Sequence, residues 1–290
     1  MKTPALIALL ALTSVARADP LDTWTWRNPL PQGNPLHAIT YGNGTFVAAG
    51  GNGTIGTSAD GVTWVQRQCG TTNELLGITY GNGTFVAVGY DDSGNGAIVT
   101  STNAVDWTPQ SSGSTNGLFG VAYGNGTFVA VGWKGPIVIS TNGVNWVSQQ
   151  SGTGYPLNAI TYGNGTFMAV GPGAMVTSTN GTNWISPSSR PAANLSGVAF
   201  GNGTFLAVGE GGTILQSGGI ITLGITADAT TGQPALTLVG PMGLPYTVQT
   251  SPDLAAWQDV TNFVAPAPTN TVLNPIPTGA PRLFYRAYSQ

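Results

Sequence analysis

The chain alternates short apolar runs with glycine-rich polar turns, and it does so on a fixed period. Runs such as Leu75–Tyr80, Thr84–Gly89 and Ala97–Ser101 are rich in Val, Ile, Phe and Tyr and carry no helical periodicity. They predict strands. One phrase, Tyr41-Gly-Asn-Gly-Thr-Phe46, recurs at Tyr80–Phe85, Tyr123–Phe128 and Tyr162–Phe167, and as Phe200–Phe205. The copies begin 39, 43, 39 and 38 positions apart. Each places Asn-Gly between two apolar runs, which predicts a two-residue type I′ hairpin whose twist matches that of its strands.

In the second copy a third strand, Ala97–Ser101, follows a variable loop, and a tight turn at Thr102–Asp106 leads to Trp107 and a fourth. Four short strands repeating about every forty residues predict the blades of a β-propeller. The fifth copy ends at Thr213–Ser217, where Gly218-Gly219 replaces the turn and its Trp. Near the other end, Thr23-Trp-Thr-Trp-Arg-Asn28 reads as an orphan fourth strand. Trp26 precedes Tyr41 by 15 residues, against 16 for the matching pairs of the later units. The pattern predicts an all-β chain whose residues 19–218 form a five-bladed β-propeller, closed by the N-terminal strand pairing onto the fifth blade.

Residues 219–290 leave the period. Ala235–Val239, Tyr246–Thr250 and Leu283–Ala287 alternate like strands between Pro-rich connections. They predict a small β-sandwich. Residues 1–18 read as a signal peptide: Lys2, the apolar run Ala5–Leu12 and a small-residue cleavage site at Ala16-Arg17-Ala18. This predicts a secreted, extracellular or periplasmic mature chain, and no later run is long enough to suggest a membrane span.

A second phrase, Ser58-Ala-Asp-Gly-Val-Thr-Trp64, returns at Ser101–Trp107, Ser140–Trp146 and Ser178–Trp184. It resembles the Asp-box, or BNR repeat, of sialidase-like and other secreted propellers, over roughly residues 22–217 of the chain. It departs from that family by a shortened turn and by Asn103, Asn142 and Asn180 in place of Asp. The stretch Tyr246–Trp257, with Phe284–Ala287, is similar to accessory C-terminal modules of secreted bacterial proteins, immunoglobulin-like or fibronectin-III-like in type.

Composition narrows the function. Without Lys2 and Arg17, six basic residues face eleven acidic ones and form no basic stripe, which argues against a nucleic-acid partner. Cys69 is the sole cysteine and His37 the sole histidine, so no intrachain disulfide forms and no Cys–His pair is suggested near Cys69. What repeats is scaffold, and what varies is free to bind. The variable loops of one propeller face hold Tyr90, Asp91, Asp92, Trp133, Lys134, Tyr155, Glu210 and Glu74. Aromatic plates beside amides and carboxylates suit a glycan or cell-surface ligand.

Asp91, Ser93, Asn95 and Gly96 echo the start of a calcium loop, but Thr102 stands where a bidentate Glu belongs, and a polar loop tip without cofactor is the reading. A sialidase-like or five-bladed glycosidase would draw on Glu74, Asp91 or Asp92, and Glu210, yet Arg27, Arg67 and Arg190 sit at the rim and no carboxylates converge by repeat symmetry. The residues therefore point to a non-catalytic recognition or adhesion module. A glycoside hydrolase and a purely structural surface protein are the alternatives.

Overall fold

The structure, a computed structural model, describes residues 24, 25, 27, 33–187, 193–217, 222–227, 234–239, 245–264, 269–272 and 284–289. Five consecutive antiparallel sheets follow the repeat. The first is β1 (Leu36–Gly42), β2 (Thr45–Gly50), β3 (Thr54–Ser58) and β4 (Val65–Arg67). The second is β5 (Glu74–Gly81), β6 (Thr84–Tyr90), β7 (Gly96–Ser101) and β8 (Thr108–Ser111). The third is β9 (Leu118–Gly124), β10 (Thr127–Gly132), β11 (Pro136–Ser140) and β12 (Val147–Gln150). The fourth has β13 (Ala159–Gly163), β14 (Thr166–Gly171) and β15 (Ala174–Ser178), with Ile185 bridging to Thr177 in place of a fourth strand. The fifth has β16 (Leu195–Gly201), β17 (Thr204–Gly209) and β18 (Ile214–Gln216). Of the expected closing strand, 23–28, residues 23, 26 and 28 lie outside the described residues, and Trp24 is 89% exposed.

The hairpins form as the Asn-Gly pairs predict. Asn43, Asn82, Asn125, Asn164 and Asn202 take φ of 44–49° and the glycines after them 73–75°, the left-handed pair of a type I′ turn. The turn brings Tyr80 opposite Phe85 with ring centroids 4.5 Å apart, and the other four copies repeat that pair at 4.6–4.9 Å.

The second phrase builds one turn four times. In the third unit Ser140 Oγ donates to Asn142 Oδ1, which also accepts the backbone N–H groups of Val144 and Asn145, both at 2.9 Å. Trp146 Nε1 then donates to Gly143 O at 2.8 Å. Asp60, Asn103 and Asn180 accept the equivalent pairs of backbone N–H groups. Asn supplies the same acceptor oxygen as Asp, so the replacement preserves the turn.

Adjacent units pack through one repeated contact. Gly42, Gly81, Gly124 and Gly163 each lie under the ring of the next unit's Tyr80, Tyr123, Tyr162 or Phe200, so close that a Cβ would fall 2.0–2.1 Å from a ring carbon. Beside it, Val86, Val88 and Ile98 bury against Leu118, Val121 and Phe128 of the following unit, and the other junctions repeat the arrangement. The core is a series of such junctions, as in repeat proteins stabilised by nearest neighbours.

The C-terminal segment contributes two three-stranded sheets. One is β19 (Thr222–Ala227), β20 (Pro234–Val239) and β23 (Thr269–Val272); the other is β22 (Gln258–Val264), β21 (Pro245–Ser251) and β24 (Phe284–Ser289). Leu236 and Leu238 of the first share a core with Tyr246, Val248, Val260, Tyr285 and Ala287 of the second. The β21–β22 connection is the propeller turn again. Ser251 Oγ donates to Asp253 Oδ1, which accepts Ala255 and Ala256 N–H, and Trp257 Nε1 donates to Leu254 O at 3.2 Å. Among the described residues no helix is long and apolar enough to cross a membrane.

Candidate functional site

The loops between second and third strands meet the connections that lead into the next unit, which makes them one face. Gly53 N–H donates to Asn73 O, Gly96 N–H to Ser114 O and Gly173 N–H to Ala193 O. On the same face four of the five inner strands carry a β-bulge, while β13 pairs with β14 in regular register. Leu36 opposes Gly50 while Ala38 opposes Ala49, leaving His37 as the extra residue, and Leu76, Phe119 and Ser196 are its counterparts. The leucine just before each bulge in the later units is buried, whereas the bulge residue itself stays partly or fully exposed. A bulge re-aims a side chain without breaking the sheet. The repeat therefore presents a variable residue at the bulge of four inner strands as well as in every loop.

Units two to four bring the aromatic candidates together. Tyr90 ends β6 and lies against Gly117, where a Cβ would stand 3.1 Å from Tyr90 Cβ. Trp133 donates its backbone N–H to Gly117 O at 2.9 Å, and its ring is tilted against Phe119 with centroids 6.4 Å apart. Tyr155 lies in the connection whose carbonyl oxygen crowds Gly135, two residues beyond Trp133. Tyr90 is 37% exposed, Trp133 51% and Tyr155 55%, so all three offer ring surface to solvent while their backbones are fixed. Lys134, exposed and at φ 64°, occupies the left-handed position that Asn52 and Gly211 hold in the first and fifth units. A polar groove of about 260 Å³ adjoins it, with Asn116, Gln150, Ser151 and Thr153 among its walls.

Phe119 was not among the sequence candidates. Its signal was present, because the column His37, Leu76, Phe119, Asn158 and Ser196 varies where its neighbours repeat.

The acidic candidates are held apart in local pairs. Glu74 opens β5 and accepts a 2.6 Å hydrogen bond from His37 Nε2 of the preceding unit. Glu210 accepts from Asn194 Nδ2 at 2.7 Å within its own unit. Asp91 caps its own loop. The Asn95 side-chain amide, followed by the backbone N–H groups of Asn95 and Ser93, holds its carboxyl below the ordinary range. Asp91 thus spends its oxygens on the loop, and Asp92 is exposed at the loop tip. Among the described residues no group of three or more His, Cys, Asp or Glu gathers as metal ligands would.

Arg67 lies on β4 with Nε donating to Thr57 Oγ1, and Arg190 lies outside the described residues. Cys69 is buried with its thiol directed at Gly53 O, and burial pushes its pKa up, as for an inert packed thiol.

No model of a known protein family matches the sequence, and no curated protein matches it. Solved propellers match the fold. A structure described as YCF48 bound to D1 peptide is 17% identical, with a TM-score of 0.53 over 79% of this chain and 82% of that one. The WD40 β-propeller domain of Doa1 is 12% identical, with a TM-score of 0.50 over 82% and 86%. YCF48 from Cyanidioschyzon merolae is also 17% identical, at 0.48 over 65% and 70%. The five repeating sheets have the fold of a β-propeller.

Proposed function

We propose that this chain is an exported recognition module that holds a carbohydrate on the loop face around Tyr90, Phe119, Trp133 and Tyr155. Residues 1–18 serve as the export signal, 19–218 as a propeller of five blades, and 219–290 as an accessory β-sandwich. The Ser-x-Asp/Asn turns are read as Asp-boxes. One observation carries the reading: Tyr90, Trp133 and Tyr155 keep exposed rings in variable loops whose backbones are fixed, and a polar groove lies beside Lys134, the residue after Trp133. Sugar rings present C–H faces to aromatic plates and hydroxyls to amides, and fixed backbones reduce the entropy cost of binding. Glu74 and Glu210 serve as polar rim groups in this reading, since each is engaged with its own partner.

The test is retention on a polysaccharide and glycan array, with released sugar assayed in parallel. Retention without release, lost in Trp133→Ala and Phe119→Ala while the melting temperature holds, is the expected result. Released sugar would replace the reading with a glycosidase. A peptide is the second occupant to assay, because the solved YCF48 structure bound to D1 peptide shares the fold. Binding to a peptide array alone would move the ligand class while keeping the face.

A further inference from the structure

Each of the four internal junctions has the same two halves. The earlier unit contributes a bare glycine at the end of its inner strand and three apolar side chains, such as Gly81 with Val86, Val88 and Ile98. The later unit contributes an aromatic ring and the apolar residue two positions before it, such as Tyr123 and Val121. The array therefore ends in two unused halves. At its head, Ile39 is 61% and Tyr41 58% exposed, although Ile78 and Tyr80 pack into the core at the equivalent place. At its tail, Leu206, Val208 and Ile214 are exposed, although Val47, Ala49 and Ile55 are wholly buried at theirs. A Cβ on Gly201 would have nothing within 4 Å, whereas one on Gly42, Gly81, Gly124 or Gly163 would collide with a ring. Four junctions of one build, taken in succession, leave head and tail uncovered.

We infer that the head of one chain docks on the tail of a second copy, with Tyr41 seated on Gly201 and Ile39 against Leu206, Val208 and Ile214. The occupant is a second copy because its head carries the same kinds of residue that cover the internal tails: Tyr at three junctions and Phe at the fourth on Gly, and Ile or Val on the apolar side chains beside it. The interface is heterologous, using different surfaces on the two partners, so it propagates into a ring or a filament.

Light scattering on the full chain tests the inference. The expected mass is a multiple of one chain. Tyr41→Glu and Leu206→Glu, both at exposed positions and so compatible with folding, each reduce it to a single chain. An equimolar mixture of the two variants recovers a two-chain complex, since one intact head and one intact tail remain. A second measurement uses the double variant Tyr41→Cys/Gly201→Cys. At internal junctions the aromatic Cβ stands 2.6–2.7 Å from the position of a glycine Cβ at Gly42, Gly81 and Gly163, so a separation larger by about 1 Å, once the ring is replaced by a thiol, brings the pair into disulfide range. Oxidation should give disulfide-linked multimers on a non-reducing gel. A single-chain mass for the parent protein, an intrachain disulfide, no disulfide at all, or a multiple mass that survives both charge variants would each overturn the inference. The intrachain disulfide would show instead that head and tail close within one chain.

Discussion

At Asp60 one carboxylate organises a whole turn. The backbone N–H of Thr63, then that of Val62, then the Ser58 hydroxyl lower its pKa from 3.8 to about 2. The unfolded chain therefore takes up the proton first as pH falls. The turn's contribution is complete above pH 4 and disappears as pH drops through 2. Asp60→Asn keeps the acceptor that Asn103, Asn142 and Asn180 already provide, but removes the titration. Its melting temperature is expected to stay near the parent's at pH 7, and to fall less than the parent's between pH 4 and pH 2. Equal acid sensitivity of the two proteins would show that the Asp60 carboxylate contributes nothing in acid.

Glycine decides matters at the scale of the blade, and only where something lies above it. Tyr162 rests on Gly124 so closely that any Cβ would overlap its ring, so Gly124→Ala must shift a strand or the aromatic. The expected cost is about 1–3 kcal/mol, from denaturant unfolding. Gly201→Ala, by contrast, is expected to lie within about 0.5 kcal/mol at the dilution where chains are separate. A large cost at Gly201 there would mean that its face is covered within the chain. The repeat announced both glycines in the same words, Gly-Asn-Gly-Thr-Phe after an aromatic. Nothing in those words distinguished them, because the distinction lies in the neighbour.

Over the whole molecule the stabilising contacts fall into groups with separate membership. The cluster around Leu236, Leu238, Tyr246 and Val248 draws all its described members from the C-terminal sheets, while the junction clusters draw theirs from the repeats. The repeats and the C-terminal sheets, with no side chain common to their cores, are expected to unfold as two events. Calorimetry is expected to resolve two transitions. Leu238→Ala should lower one of them, at a cost of about 2–5 kcal/mol, and leave the other in place. A single transition displaced as a whole would show that the two parts unfold together.

The repeat made strand order and hairpin type legible, because both depend on a few neighbouring residues: Asn-Gly for the φ values, alternation for the strands, and a short acceptor side chain for the turn. The recurrence of that turn at Ser251–Trp257 was missed in the sequence, because it falls outside the period and Leu254 stands where Gly is usual, and its hydrogen bonds revealed it. The variable loops were visible as departures from the period. Three facts depended on the folded chain. The bulge turned the column of His37 and Phe119 towards the loop face. It set His37 against Glu74 and Phe119 against Trp133 across distances in sequence that no local rule spans. The exposed head and tail depend on how four equal junctions add in space. A sequence period sets what each junction is made of, but the rotation between units comes from packing, and only packing decides whether the last face meets the first.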